Sequence, residues 1–339
     1  MSSNNINTSS TELNETCENS MLDNRYVLLK RLGSGNFGEV YKVLDTETQE
    51  IKAVKLFKID DNKMRFEKEE NMMKKLDKYD ILSNIKFYDS GIGLLTKDGL
   101  TEKRKYIIME YGSEENLLKK VKKTPNGFSE DSGKYMLYEI VEAVKSLHKI
   151  GITHRDIKPD NMFFVGEGQN MKLKLCDFGL STVFKDEKHV KIYLNEHVGT
   201  PAFVAPEIIK HKSYDGEKID VFSVGVTIFS LLTKKIPFQA CKNSYELTQT
   251  LYRYITKRKI SEYWYILEHS KEVNLKPLSD DFKELFIKMV ESNPKKRITL
   301  DEIMDSKWMK DIKNASKEYL EMLRNKMISE MLNNVNIYI

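Results

Sequence analysis

The chain is poor in the features that staple or anchor a secreted or membrane protein. Only three cysteines occur, Cys17, Cys176 and Cys241, widely spaced and odd in number, which argues against a disulfide framework or a zinc site. Charge of one sign is lacking too. The 55 basic and 51 acidic residues leave a formal charge of +4 over 339 residues, so no nucleic-acid partner is expected. Long apolar runs are also missing: the longest, Ile219 to Leu232, carries Asp220 and two serines and is too short to span a bilayer. The start, Met1-Ser2-Ser3-Asn4, has no apolar signal core, and Ser2 stands where N-myristoylation needs glycine. No membrane partner is expected, and a reducing compartment, cytoplasmic or nuclear, is the simplest location. There is no internal repeat. What remains is 40% apolar and 31% charged, the composition of a soluble globular protein long enough for two domains.

Residues 1–24 are Asn, Ser, Thr and Glu with few apolar side chains, and are expected to form a disordered tail. Asn7 and Asn14 head glycosylation sequons that, without a secretory signal, read as chance matches. Alternating apolar residues then predict strands at Tyr26–Leu28, Val40–Val43 and Ile51–Leu56, and a helix follows over Lys63–Lys78. Two further strands are predicted near Ile85–Tyr88 and Tyr106–Tyr111, separated by a polar insertion around Thr96–Lys105. After a connector at Glu110–Ser113 the pattern turns helical. Ser129 caps a helix with Met136, Ile140, Val144 and Leu147 on one face, ending near Gly151. Met162–Val165 and Leu173–Cys176 read as a hairpin. Helices are predicted over Lys218–Thr233, Ser244–Lys257, Ser279–Glu291 and Leu300–Lys307. The result is a small β-rich lobe and a larger helical one, with a cleft suited to a small ligand.

Chemistry concentrates in His154-Arg155-Asp156-Ile157-Lys158-Pro159-Asp160-Asn161. Asp156 offers a carboxylate for a hydroxyl proton, Asn161 an amide oxygen suited to a hard cation such as Mg²⁺, and Lys158 a charge for a phosphoryl oxygen. That combination asks for phosphoryl transfer. Gly33-Ser34-Gly35-Asn36-Phe37-Gly38 fills a G-x-G-x-x-G pattern, also used by dinucleotide-binding folds. Here the glycines lie between two strands, where a dinucleotide site would lead into a helix, so a hairpin flap over phosphates is the better fit. Lys55 follows Ala53-Val54 in a strand, at the edge of an apolar run, and is either solvent-facing or paired with an acid, Glu69 first and Glu70 next, which would hold it against the phosphates of ATP. Asp177-Phe178-Gly179 follows a strand whose hairpin returns Asp177 to the side of Asn161, a pair of oxygens suited to Mg²⁺.

With loop, flap, lysine and Asp-Phe-Gly in this order, residues 26–310 resemble the eukaryotic protein kinase family. The resemblance implies an α+β bilobal protein-kinase fold: a small β-rich N-lobe with one main helix and hinge (25–112), a mostly helical C-lobe (113–310), and a C-terminal amphipathic helix (311–339). It implies ATP and Mg²⁺. Met109-Glu110-Tyr111 looks like the hinge that binds adenine, enclosed by Leu32, Val40, Ala53 and Phe163. Ala205-Pro206-Glu207 resembles the end of the activation segment, and Arg297 the arginine that pairs with its glutamate. His154, Phe178 and Met73 would stack as a spine, and Asp220 begins the anchoring helix. Lys158-Pro159 and Gly199-Thr200-Pro201 resemble serine/threonine kinases, with Lys158 and Thr200 bonding around Asp156. The partners implied are proteins bearing Ser or Thr. The C-terminal half most resembles the calcium/calmodulin-dependent and AMP-activated group, although no calcium-binding loop is present.

Four departures carry expectations. The hairpin between Asn161 and Asp177 is longer than the family's, as a surface insertion. Asn116, flanked by Glu114 and Glu115, stands where relatives place an acid for the ribose and for basic substrate residues. Glu196 occupies the position that often carries a phosphothreonine, and is expected to serve Arg155 as a built-in anion; a solvated loop glutamate is the alternative. Leu320, Leu323, Met327, Met331 and Leu332 form a stripe read as a docked helix, with autoinhibition or calmodulin binding as the sharper option. Two rivals to an active kinase are a pseudokinase scaffold, which loss of Lys55, Asp156 or Asp177 would favour, and a small-molecule phosphotransferase.

Overall fold

The computed structural model describes residues 20–35, 38–58, 63–81, 83–113, 115–166, 168–238, 251–269 and 275–332. The chain divides into two compact units, one running to Phe66 and again from Phe87 to Tyr111, the other taking Glu67–Lys86 and Gly112 onward. Nineteen residues of the expected tail, the flap tip Asn36-Phe37, Glu114, Cys17 and Cys241 lie outside the described residues.

In the first unit, β1 (Met21–Leu22), β2 (Tyr26–Gly35), β3 (Gly38–Asp45), β4 (Glu50–Phe57), β5 (Phe87–Lys97) and β6 (Leu100–Glu110) close an antiparallel barrel in the order β1-β2-β3-β4-β6-β5. Alternation along the strands sends Leu22, Tyr26, Leu28, Tyr41, Val43, Val54, Leu56, Leu95, Tyr106 and Ile108 inward to one core. Asp45, its one buried carboxylate among the described residues, takes hydrogen bonds from Arg25 Nη2 at 2.8 Å and Lys52 Nζ at 2.7 Å. Those cations, Arg25 foremost, hold the Asp45 carboxyl well below the usual carboxylate range.

Two expectations are corrected here. Met21 and Leu22 pair with both β2 and β5, so the ordered domain begins before the Asn24 boundary. The supposed polar insertion at Thr96–Lys105 is strand: β5 and β6 form a long ribbon turning at Asp98-Gly99, whose φ values of 51° and 77° suit a two-residue turn. Backbone pairing carries this ribbon without an apolar pattern, which is why periodicity missed it.

Between these strands, α1 (Lys63–Lys78) forms as expected, its residues from Glu67 belonging to the second unit. That unit continues with α2 (Leu117–Lys123), α3 (Glu130–Lys149), β7 (Ile152–Thr153), β8 (Met162–Val165), β9 (Lys172–Leu175) and β10 (Thr182–Val183). Then come α4 (Pro206–Ile209), α5 (Gly216–Thr233), α6 (Tyr252–Thr256), α7 (Ile260–His269), α8 (Asp280–Met289), α9 (Leu300–Met304), α10 (Lys310–Lys313) and α11 (Lys317–Leu332). The helix expected over Ser244–Lys257 lies partly outside the described residues and is seen as α6.

The longest apolar run of the chain is α5, buried along nearly its whole length, as a helix apolar on every side must be. Its polar residues are satisfied locally or tie down loops: Ser223 Oγ donates to Phe203 O at 2.9 Å and Thr227 Oγ1 to Ile157 O at 3.3 Å. Alongside it, α3 buries Met136, Ile140, Val144 and Leu147 as the spacing required, and Ser129 caps it by accepting from Ser132 N at 3.3 Å. The C-terminal stripe is docked: α11 lies against α3 and α2 with Leu323 and Met327 buried, although Leu332 is exposed. Glu330 seals the join by accepting from Ser129 N at 2.9 Å and Ser129 Oγ at 2.5 Å.

Candidate active site

Between β7 and β8 the chain must turn sharply, and one buried carboxylate absorbs the amides the turn leaves over. Asp220, at the start of α5 and wholly buried, accepts from His154 N and Arg155 N, both at 2.9 Å, and from Thr153 Oγ1 at 2.8 Å. Its Oδ2 also lies 2.8 Å from His148 Nε2. Burial would raise the Asp220 carboxyl, but His148 and the amides outweigh it and hold it below its ordinary value. Arg155, at φ 67°, sits in the left-handed region, strain that this network sustains.

The turn presents Asp156 with both oxygens engaged. Oδ1 accepts from Thr200 N at 3.0 Å and Thr200 Oγ1 at 2.6 Å; Oδ2 accepts from Lys158 Nζ at 2.7 Å and Asn161 Nδ2 at 3.0 Å. Lys158 Nζ also reaches Thr200 Oγ1 at 2.6 Å. The expected trio Asp156, Lys158 and Thr200 is therefore assembled, with Asn161 beside it. Below, His154 receives Asp156 N–H at Nδ1 (3.3 Å) and donates from Nε2 to Cys176 O (3.1 Å), while its ring meets Phe178 edge-on at 5.2 Å. Burial lowers the His154 pKa, favouring this neutral ring.

The β8–β9 hairpin sets the other end. Its register pairs Met162 with Leu175, and Cys176 N donates to Asn161 O at 3.0 Å, so Asn161 and Asp177 emerge from adjacent strand ends. Asp177 has φ 62°. A Cβ built on Gly179 would lie 3.1 Å from Glu69 Oε2 and 3.4 Å from Asp177 Oδ1, so two carboxylates converge beside that glycine. Convergent carboxylates need cationic company. One carboxylate plus one amide oxygen on a rigid hairpin fits Mg²⁺, which takes few protein ligands and completes its shell with water and phosphate. Phe163, on β8, packs against Gly112.

In the first unit the three flap glycines separate by role. A Cβ on Gly38 would stand 2.1 Å from Leu56 O, so only glycine fits there. Gly33 and Gly35 have open space, which leaves their backbone approachable. Lys55 is buried and pairs in register with Val40 and Ile107; Ala53 pairs with Met109, and Lys52 with Glu110. Leu32, Val40, Met109, Glu110 and Tyr111 are half-buried. Glu69, the acid expected for Lys55, is buried in the second unit.

Two arginines complete the second unit. Arg297 makes a fork with Glu207, Nη1 to Oε1 at 2.7 Å and Nη2 to Oε2 at 2.9 Å, as expected. Arg155 meets Glu196: Nη1 lies 2.5 Å from Oε2, Nε donates to Leu180 O at 2.7 Å, and Nη1 donates to Tyr214 Oη at 3.2 Å. Tyr214 Oη passes the bond on to Glu196 O at 2.8 Å, and Lys68 Nζ stands 4.0 Å from Glu196 Oε2. Arg155 Nη2, buried, has no hydrogen-bond partner among the described residues, so the glutamate satisfies only part of the guanidinium. Asn116 proves to be a helix cap: it accepts from Lys119 N at 3.0 Å and donates to Asp160 O at 3.2 Å. Sequence reasoning missed Tyr214, His148 and Lys68. Only Lys68, adjoining Glu69, carried a signal.

A model of the protein kinase domain matches residues 26–309. The chain belongs to the protein kinase family. Its relatives narrow the class. Serine/threonine-protein kinase SAPK3 of Oryza sativa subsp. indica is 30% identical over 305 residues, 88% of this chain and 81% of that one. Serine/threonine-protein kinase SAPK6 of the japonica subspecies is 31% identical over 302 residues, 88% and 73% of the two chains. CBL-interacting protein kinase 30, also of japonica, is 32% identical over 288 residues, 84% of this chain and 54% of its own length. This chain is a serine/threonine protein kinase, for which ATP is the phosphoryl donor.

Proposed function

We propose that this kinase is active with Mg²⁺ and ATP without waiting for a phosphate on its activation segment. The observation that carries the proposal is the 2.5 Å contact of Glu196 with the buried Arg155. Kinases of this type commonly use a loop phosphate to fill that arginine. Here a carboxylate supplies the charge, orders residues 196–200 through Tyr214, and so keeps Thr200 on Asp156.

In the mechanism, Asp156 orients a substrate Ser or Thr hydroxyl and accepts its proton, its carboxylate fixed by Thr200 and Asn161. Lys158 steadies the charge developing on the transferred group. Asn161 and Asp177 would hold the metal, which when bound neutralises charge on the phosphates. Lys55, Glu69 and the backbone of Gly33 and Gly35 are the groups proposed to serve the phosphates, and Leu32, Val40, Ala53, Met109–Tyr111 and Phe163 those proposed to serve adenine. Lys55, Asp156 and Asp177 are all present, which argues against a scaffold without catalysis. For α11 we propose packing: a calmodulin-type partner would need Leu323 and Met327, which α3 and α2 already cover. The proposed location is a reducing compartment, cytoplasm or nucleus.

The test is phosphoryl transfer from labelled ATP to a degenerate peptide library by phosphatase-treated full chain, with Asp156→Asn as the inactive control. Transfer by the treated native chain is the expected result. Activity appearing only after activation-segment phosphorylation would sink the proposal.

A further inference from the structure

A cavity of about 290 Å³ opens in the second unit among the last turn of α3, the segment after β10, and the first turns of α5 and α9. Lys145, Lys149, Lys185 and Lys218 face it against two carboxylates, Glu217 and Asp301. Three of the lysines are engaged. Lys145 Nζ is 2.7 Å from Asp301, Lys185 Nζ 2.7 Å from Glu217, and Lys218 Nζ donates to Arg297 O at 2.7 Å. The Lys149 side chain has no hydrogen-bond or ion-pair partner among the described residues. An excess of positive charge inside a recess favours an anion, because the low-dielectric walls focus the field. The size matches the lower end of small-ligand sites, and Val221 and Leu300 give the cavity an apolar side. That side suits the organic part of an ester better than a bare ion.

The cavity reaches the chemistry through its lining. His148 faces it, and the same ring lies 2.8 Å from Asp220, the carboxylate that fixes the backbone amides of His154 and Arg155. A charge placed beside His148 therefore acts on the group that shapes the turn carrying Asp156. We propose that this cavity is a regulatory site for a small phosphate monoester, read by the catalytic loop through His148 and Asp220. The regulatory part rests on the kinase reading above; the binding does not.

The test uses the full chain with saturating ADP to block the nucleotide phosphates, and glycerol 2-phosphate as probe, with inorganic phosphate in a parallel arm. Binding is followed by the NMR signals of the His148 ring. The expected result is a saturable shift, tighter for the ester than for the inorganic ion, and weakened about tenfold in Lys149→Glu. Lys145→Gln, a milder change, should weaken it in the same sense. With saturating Mg²⁺ and ATP, the ester should change kcat and leave the KM for ATP unmoved. An unmoved His148 signal, or binding by Lys149→Glu and Lys145→Gln as tight as that of the native chain, overturns the site. Binding that leaves kcat unchanged overturns the regulation, and absence of any transfer in the untreated chain counts against the kinase reading alone.

Discussion

Arg297 and Arg155 are both fully dehydrated in the second unit, yet they are neutralised in opposite ways. Arg297 faces an acid buried to 6% exposure, through two parallel bonds, and spends two further donors on Glu291 O and Lys218 O. Arg155 faces an acid 53% exposed, through one contact, with Nη2 left over. A charge pair closed on both sides cannot be opened without stranding a charge, so it belongs to the scaffold. A pair closed on one side strands only its cation when opened, a smaller cost, so it can govern how the activation segment is ordered. Dehydration of the cation is common to both; the accessibility of the anion decides whether the pair holds or regulates.

The comparison breaks most visibly at Arg297. Arg297→Ala should cost about 3–5 kcal/mol, and Glu207→Ala a similar amount, with the double variant well short of their sum. Denaturant unfolding measures all three, and additive losses would mean the pair is not a unit. Glu196→Ala should cost less, about 1–3 kcal/mol, because Arg155 stays buried but keeps Leu180 O and Tyr214, while lowering kcat about tenfold with the KM for ATP unchanged. Steady-state kinetics beside an unfolding curve separates the two effects; a variant with full kcat would leave Glu196 an ordinary loop residue.

The pH response sharpens the contrast. The Arg155 guanidinium holds the Glu196 carboxyl below its ordinary value of 4.5. A depressed carboxyl keeps its contribution at all pH above that ordinary value and loses it only as pH falls through the lower, folded-state value. The native-to-Glu196→Ala ratio of kcat should thus be flat from about pH 5.5 upward, whereas a phosphate in that place would titrate near pH 6. A ratio that bends near neutrality would point to a different group. Smallest should be Glu330→Ala, where a half-buried acid caps α3 through Ser129: about 1 kcal/mol by thermal unfolding, with no gain in activity. Increased activity would instead favour an inhibitory α11.

Much of the site was legible because phosphoryl transfer needs particular groups in a particular order. Asp156, Lys158, Asn161 and Asp177 cannot be exchanged for residues of similar shape without losing the chemistry. Arg297 with Glu207 was legible only through the resemblance to the family, and α3 and α5 because burial imposes their apolar patterns. What escaped depends on contacts between distant residues. Tyr214 joins Arg155 to Glu196 through one hydroxyl, and no spacing announces that. Asp220 was foreseen as a helix start, but not as the carboxylate that gathers three donors from the turn at His154. The polar β5–β6 ribbon is held by backbone pairing, to which side-chain periodicity is blind. Only its Asp98-Gly99 turn marked it. Asn116, standing where relatives place an acid, is consumed as a cap.

The two residues of β1 bear on where this domain can safely be cut. Met21 and Leu22 lie between β2 and β5 and occupy the hydrogen-bonding edges of both. A chain started at Tyr26, where the match to the protein kinase domain begins, would leave two open strand edges on the barrel. Open edges invite pairing with a neighbouring molecule. Such a fragment would retain every proposed catalytic group and still self-associate, so Met21 and Leu22 protect solubility from outside the matched domain.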